Sequence, residues 1–458
     1  MLLLSTLRQG LPRLDLHLPA HGRGRGLAPG LRQLLRQRPG RWDLPELPEI
    51  GGPLEPGGAV AADQAESARL CAADRCWFGV NGASGMLQVA LLALAKPGER
   101  VLLPRNLHRS LLHACVLGGL RPVLFDLPFD PATGLWLPPS PDWLLRRLEQ
   151  APTLAALVLV HPTYQGLAGD LQGLIAVAHH HGLPVLVDEA HGAHFGQPGL
   201  PMGALAAGAD LVVQSLHKSA GGLAQSAALL LRRGRVSEEA IERSLLWFQT
   251  SSPSALLLAS AAAAFAHRHS TAGARGLSRA IARANELRQA LERASLPLAA
   301  NQDPLRLVFH SAALGINGLA ADAWLLQRGV IAELPEPGCL TFCLGERPPR
   351  RVRRLLPTQL NQLRQALGGP ALLPFTPPPI PALMEPELTP GEAWRLPHQT
   401  LLLEQALERL AAEPICPYPP GIPLLIPGER IDAARLEWLR EQRRLWPGQI
   451  ADTVKVVA

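Results

Sequence analysis

Short apolar runs recur between residues 65 and 235 at the interval of one strand plus one helix. Arg100–Leu103, Pro122–Asp126, Ala155–Val160, Pro184–Val187 and Asp210–Gln214 are each bounded by Gly, Pro or Asp, with helix-length segments between them. Runs that are apolar throughout, rather than at alternate positions, suit strands covered on both faces. With helices as connections they predict βα units and a mostly parallel sheet. Ser84 to Ala95, after the Asn81-Gly82 turn, predicts one of the covering helices. Ligands of such sheets bind beyond the carboxyl ends of the strands, so chemistry is sought there.

The chain has 458 residues, too many for one small core. Residues 1–50, rich in Arg, Gly and Pro, form an N-terminal segment; 51–270 make a large domain; 271–370 make a small one with amphipathic patterns over 275–293 and 350–367. Residues 371–398 are a Pro-rich connector, and 399–458 a closing segment with a helix expected over 399–412 and another from near Asp432.

Apolar residues are 47% and charged residues 18%, which excludes a disordered chain. The net charge of +6 is mild, and no nucleic-acid-binding motif accompanies the patch Arg350, Arg351, Arg353 and Arg354, which reads as a solvated helix face. None of the six cysteines falls in a CxxC pair, so zinc-ribbon spacing is absent, and most lie in apolar settings and read as buried small hydrophobes. The apolar run Met1 to Leu4 is too short for a secretory segment, and no stretch reaches transmembrane length. A cytoplasmic protein with no membrane or nucleic-acid partner is expected.

Three pieces carry chemistry. Asn81-Gly-Ala-Ser-Gly85 is a Gly-rich turn opening a helix; Val185-Leu-Val-Asp188-Glu-Ala-His191-Gly-Ala-His194 is a buried strand ending on a carboxylate; Val212-Val-Gln-Ser215-Leu-His217-Lys218-Ser219 is the next strand, ending on a lysine. A pyridoxal-phosphate (PLP) site needs these three things. An amine holds the cofactor covalently. A carboxylate keeps the pyridine nitrogen protonated. A helix N-terminus with hydroxyls and backbone N–H groups takes the phosphate. Lys218, Asp188 and Ser84 supply them in that order. Taken singly each is weak: Asp188 could cap the next segment, and a lysine after a strand is usually a surface residue. The rival reading is a metal held by Asp188, Glu189, His191 and His194, although the spacing is not HExxH. The run His179-His180-His181 reads as a helix end, where imidazoles suit the dipole.

With these motifs in place the chain resembles the PLP-dependent Orn/Lys/Arg decarboxylases, of the short type without an N-terminal wing. Besides Asp188-Glu-Ala-His-Gly-Ala-His194 and Ser215-Leu-His-Lys218, the resemblance rests on Arg105-Asn-Leu-His108-Arg-Ser110, His161-Pro-Thr163-Tyr164-Gln-Gly166, Ser251-Ser-Pro-Ser254, and Tyr418-Pro-Pro-Gly-Ile-Pro423 followed by Pro427-Gly428-Glu429. It spans about residues 13 to 440. It implies the aspartate-aminotransferase-like fold (fold type I), an α/β domain with a smaller α+β C-terminal one. It implies that Ser84 and Gly85 hold the phosphate, His108 stacks on the ring, Asp188 pairs with the ring nitrogen and Ala190 packs below it. Thr163 lies on the ring's oxygen side, His191, Ser215 and His217 flank the cofactor, and Lys218 carries it. The catalytic set is then Lys218, Asp188, His217 and His108, with no metal. The family's HxPGHK reads His17-x-Pro-Ala20-His21-Gly22 here, Gly85 stands where a hydroxyl residue is common, and Leu216 replaces a frequent Thr.

Decarboxylation of lysine, arginine or ornithine is what the resemblance implies, as a step of polyamine formation. Another α-carbon reaction such as transamination, or a PLP-binding homologue with weakened turnover, stays open. A basic substrate tail wants a carboxylate, and Glu333 and Glu429 are the candidates. A homodimer or higher homo-oligomer is expected, with Ser251 or Ser252 reaching the neighbour's phosphate site. Ser252 or Ser254 could instead simply cap the helix that follows.

Overall fold

The computed structural model describes residues 2–8, 14–419, 421–445 and 448–458. Pro420, in the Tyr418–Pro423 motif, Met1 of the N-terminal apolar run, residues 9–13 and residues 446–447 lie outside them.

The large sheet takes Arg75–Gly79 (β1), Arg100–Pro104 (β2), Arg121–Phe125 (β3), Ala156–Val160 (β4), Val185–Asp188 (β5), Leu211–Ser215 (β6) and Ala227–Leu231 (β7). Its order is β3-β2-β4-β5-β6-β7-β1, and an eighth strand, Leu383–Met384, extends the β3 edge. The five predicted strands are all present and run parallel. The two antiparallel members are β7, between β6 and β1, and the edge strand 383–384. That edge strand comes from the stretch expected to be only a connector.

Alternation along each strand explains why the runs are apolar throughout. Val185 and Val187 face one buried cluster with Leu157, Val212 and Phe265, while Leu186 faces the other with Met86, Leu111 and Val213. Helices cover both faces: Gly82–Leu94, Arg109–Gly118 and Glu238–Phe248 on the second, Leu171–His180 and Ala255–Arg268 on the first.

A second, antiparallel sheet is built from Leu298–Ala299, Arg306–Phe309, Leu334–Pro335 and Leu340–Cys343. The helices Thr271–Arg293 and Val352–Leu367 pack on it around Leu287, Phe309, Phe342 and Leu360. Arg350, Arg351, Arg353 and Arg354 are exposed at the start of the latter helix. A fourth cluster gathers Leu403, Ile415, Leu425, Leu439 and Val456.

The helix expected over 399–412 is not formed. His398–Leu402 is a strand, paired antiparallel with Thr453–Val457, and Leu403–Gln405 is a short 3-10 turn. Non-local pairing with a β-branched strand fifty positions away overrides the local Leu-rich helical preference. The last helix, Ala433–Leu445, begins one residue after Asp432, whose Oδ1 accepts from Arg435 N at 2.8 Å.

Candidate active site

β5 and β6 are neighbours, and their carboxyl ends deliver Asp188 and, through the single turn Leu216–Ser219, Lys218 to one crevice. Asp188 is buried, and its Oδ1 accepts from Ala190 N at 3.0 Å, which fixes the carboxylate. Lys218 Nζ lies 2.8 Å from His191 Nε2. Burial lowers the Lys218 pKa against the opposing pull of Asp188 and Glu333, and burial with the Lys218 charge lowers that of His191 well below an ordinary imidazole. A neutral amine is the nucleophilic form, so this environment suits covalent attachment.

His108 stands at the N-cap of Arg109–Gly118, with Nδ1 2.8 Å from Ser110 Oγ and accepting from Ser110 N. Burial lowers its pKa too, while the Asp188 carboxylate pulls it back up. His217 Nδ1 is 3.1 Å from Ser215 Oγ, and burial takes the imidazole down to about 4. Ser84 is exposed in the first turn of Gly82–Leu94. Gly82 there has φ +69° and donates to Gln225 O, and a Cβ at Gly85 would sit 3.0 Å from Asn81 Cβ. The missing hydroxyl at Gly85 therefore goes with a tight turn. Thr163 is buried, and its Oγ1 accepts from Leu167 N at 3.2 Å, closing the turn of the His161 motif.

The carboxylate–imidazole cluster of the rival reading disperses. Glu189 accepts from Ala204 N and Gln214 Nε2, each at 2.6 Å; His194 Nε2 is 3.0 Å from Asp303 Oδ2; His191 faces Lys218. Among the described residues no three His, Cys, Asp or Glu side chains gather as for a metal ion. His179 ends its helix 2.8 Å from Asp210 Oδ2.

Tyr164 was not selected from the sequence. Its ring centroid is 4.1 Å from that of His191, and Lys218 Nζ lies 5.3 Å from it. The available signal was scarcity, since the chain has only two tyrosines and both fall in motifs of the resemblance.

The two tail-binding candidates separate. Glu429 is fully buried and forked onto Arg105, with Arg435 Nη1 3.6 Å away, so it is already committed. Glu333 accepts from Leu18 N at 2.7 Å and lies within electrostatic reach of Lys218 and Arg306. Leu18 belongs to the altered His17–Gly22 motif, whose His21 Nδ1 accepts from Gly24 N at 2.9 Å. That loop also packs on the segment after Lys218, where a Cβ on Gly221, at φ +72°, would lie 2.5 Å from Gly26 O.

Residues 14–335 match the family model described as Orn/Lys/Arg decarboxylase, major domain, and residues 375–453 match the C-terminal domain of the same family. The chain belongs to the Orn/Lys/Arg decarboxylase family. It is similar to the arginine decarboxylase of Halalkalibacterium halodurans, 31% identical over 94% of this chain and 90% of that one. It is also similar to the arginine decarboxylase of Bacillus subtilis strain 168, 30% identical over 93% and 90%. The constitutive lysine decarboxylase of Escherichia coli is 23% identical over 84% of this chain and 67% of its own length. Lysine decarboxylase A from Pseudomonas aeruginosa shares the fold, with TM-score 0.76 at 18% identity over 100% of this chain and 80% of that one. So does serine palmitoyltransferase from S. paucimobilis with bound PLP, at TM-score 0.60 and 18% identity over 77% and 87%. The fold is therefore PLP fold type I, and this family member is an amino-acid decarboxylase with PLP as its cofactor.

The residues present fit that cofactor. A buried carboxylate and a half-buried amine converge, and the nearby His191 Nδ1 and Ser219 Oγ are buried without a partner. Unpaired polar atoms are costly in a dry site, and a polar ligand would satisfy them.

Proposed function

We propose that this chain removes the α-carboxylate of a basic amino acid as carbon dioxide and releases the amine, with L-arginine as the first substrate to test. The observation that carries the reading is the convergence of Lys218 and Asp188 from adjacent strands into a buried crevice flanked by His108, His191 and His217. Arginine is favoured because relatives named arginine decarboxylase match nearly the whole chain at about 30% identity.

When bound, PLP supplies an electron sink for the pair left on the α-carbon. The chain's own residues do the rest. Lys218 attaches the cofactor, and Asp188 holds a proton at the pyridine nitrogen. His108 and Ala190 would pack against the cofactor ring and exclude water. Ser84 and the backbone of the turn at Gly85 would take the phosphate, and Thr163, Ser215 and His217 would help hold the ring. His191 Nε2, at 2.8 Å, can exchange a proton with Lys218 Nζ. Glu333 receives the cationic tail of the substrate. Its pKa is raised by burial against the pull of Leu18 N, Arg306 and Lys218, and a cationic tail would restore the anion.

In this reading residues 51–270 form the PLP-binding domain, 271–370 the small domain, 371–398 the connector and 399–458 the closing domain. Their separate apolar clusters support the division. The working unit is a homodimer. Leu246 and Trp247, 70% and 87% exposed, flank the Thr250–Ser254 loop, and a second copy would cover them. Ser254 occupies the N-cap of Ala255–Arg268 without a side-chain capping bond, so the loop's hydroxyls are not used up in capping. Six unpaired cysteines agree with a cytoplasmic enzyme. The amine product places the reaction in polyamine formation.

The test is turnover of L-arginine, L-lysine and L-ornithine by the PLP-loaded enzyme and by Glu333→Gln. Carbon dioxide and amine in equal amounts, with a raised KM in the variant, support the reading. Keto acid in place of carbon dioxide would establish transamination.

A further inference from the structure

We infer that Glu429, in the C-terminal domain, is a positioning residue for His108 and acts through Arg105. The inference rests on the reading that His108 covers the cofactor ring.

Arg105 follows β2, at the carboxyl end of that strand, and its N–H donates to Phe125 O at 3.0 Å. Three residues later the same loop delivers His108 to the N-cap of Arg109–Gly118. The guanidinium and the Glu429 carboxylate are both fully buried. They meet as a two-pronged fork, Nη1 to Oε2 at 3.1 Å and Nη2 to Oε1. Glu429 Oε2 also accepts from Ile426 N at 2.7 Å, so the carboxylate cannot swing.

The same two segments also contribute to one apolar cluster. Ile426, from the C-terminal domain, is buried in the cluster of the large sheet that holds Leu107 and Leu111, either side of His108. The 426–429 turn is thus tied to the 105–108 loop by the two-pronged ion pair, and the two segments share one apolar cluster.

Burying two charges costs much of what their attraction returns, so such a pair is a poor source of stability. Its planar fork does fix distance and orientation together. The loop gripped here is the one that carries an imidazole beside Asp188 and Lys218. Among the described residues, Ile426 is the one member of this cluster that comes from beyond residue 375. The far domain therefore sets the placement of a side chain at the reacting centre.

The experiment is a double-mutant cycle on the full-length protein between His108→Ala and Glu429→Gln. The readouts are the PLP dissociation constant from fluorescence quenching and the visible circular dichroism of bound PLP. Because Glu429→Gln leaves Arg105 buried without its counter-ion, the paired variant Arg105→Met/Glu429→Met is measured beside it; apolar replacement of both charges usually keeps a protein folded. The expected result is that either change at residue 429 weakens PLP about tenfold and shrinks the dichroism. Added to His108→Ala, it should weaken PLP by no more than about threefold further, since coupled residues do not add. Effects that multiply in full, or wild-type affinity and dichroism in both residue-429 variants, would overturn the inference. If His108→Ala alone leaves PLP affinity and dichroism unchanged, the ring-covering role of His108 fails, and this inference with it.

Discussion

Lys218 Nζ and His191 Nε2 are 2.8 Å apart, and burial biases both toward their uncharged forms. Two cationic groups at that distance in a dry site would repel strongly, so at most one holds a charge. In the proposed function Lys218 attaches the cofactor, and burial favours its neutral, nucleophilic form against the opposing pull of Asp188.

Lysine is scarce in this chain: Lys96, Lys218 and Lys455 are the only ones. Borohydride reduction of the PLP-loaded protein should fix one pyridoxyl group per chain, on the peptide containing Lys218. Lys218→Ala should lose that label and the visible absorbance while unfolding at the wild-type temperature. Label on Lys96 or Lys455 in the variant would move the attachment site.

Asp188→Asn keeps the shape of the side chain but cannot hold a proton on the pyridine nitrogen. Turnover should fall far more than stability, with a barrier raised on the order of several kcal/mol, as for other fixed electrostatic contributions. A kcat within about tenfold of wild type, roughly 1.4 kcal/mol, would show that Asp188 is not the ring partner.

Most of this candidate site could be read from the sequence because its residues fall at the ends of locally readable elements. Val185–Asp188 and Leu211–Ser215 are short, apolar and bounded by turn residues, so their ends could be placed within a residue. What was missed depends on distant partners. Ala227–Leu231 is an Ala-Leu run that becomes a strand only between its two antiparallel neighbours. Leu383–Met384 is a strand because the β3 edge is open to it. Glu429, a candidate for the substrate tail because it falls in a family-like C-terminal segment, is bound to Arg105, 324 positions away.

Acid should destabilise the fold through its buried imidazoles. His161 is 5% exposed, and burial takes it down to about 4. Between its unfolded value near 6.5 and that value, the unfolded chain binds the extra proton, so stability rises with pH and is lost as pH falls through this window. The full slope is about 1.4 kcal/mol per pH unit for one such group. Urea unfolding of the apo-protein at pH 7.5 and pH 5 measures the fall, and His161→Asn should flatten it. An unchanged slope in the variant would mean that His161 is not held neutral.

The Thr250–Ser254 loop starts beside the chain's own Gly-rich turn, where Asn81 Nδ2 donates to Phe248 O at 2.6 Å, and its Ser251 and Ser252 are exposed. If a second copy shares the site, co-refolding Lys218→Ala with Ser251→Ala/Ser252→Ala should restore activity above either parent. One site of the mixed dimer would carry every defect and the other none. No recovery, or an active monomer in sedimentation, would confine the loop to its own chain.

The most direct measurement is the product balance of the PLP-loaded protein with L-arginine, followed by mass spectrometry and carbon dioxide capture, beside Lys218→Ala. The expected result is one carbon dioxide and one agmatine per arginine consumed, absent in the variant, with slower or no release from lysine and ornithine. Keto acid without carbon dioxide, or equal carbon dioxide from the Lys218→Ala protein, would contradict decarboxylation at this lysine.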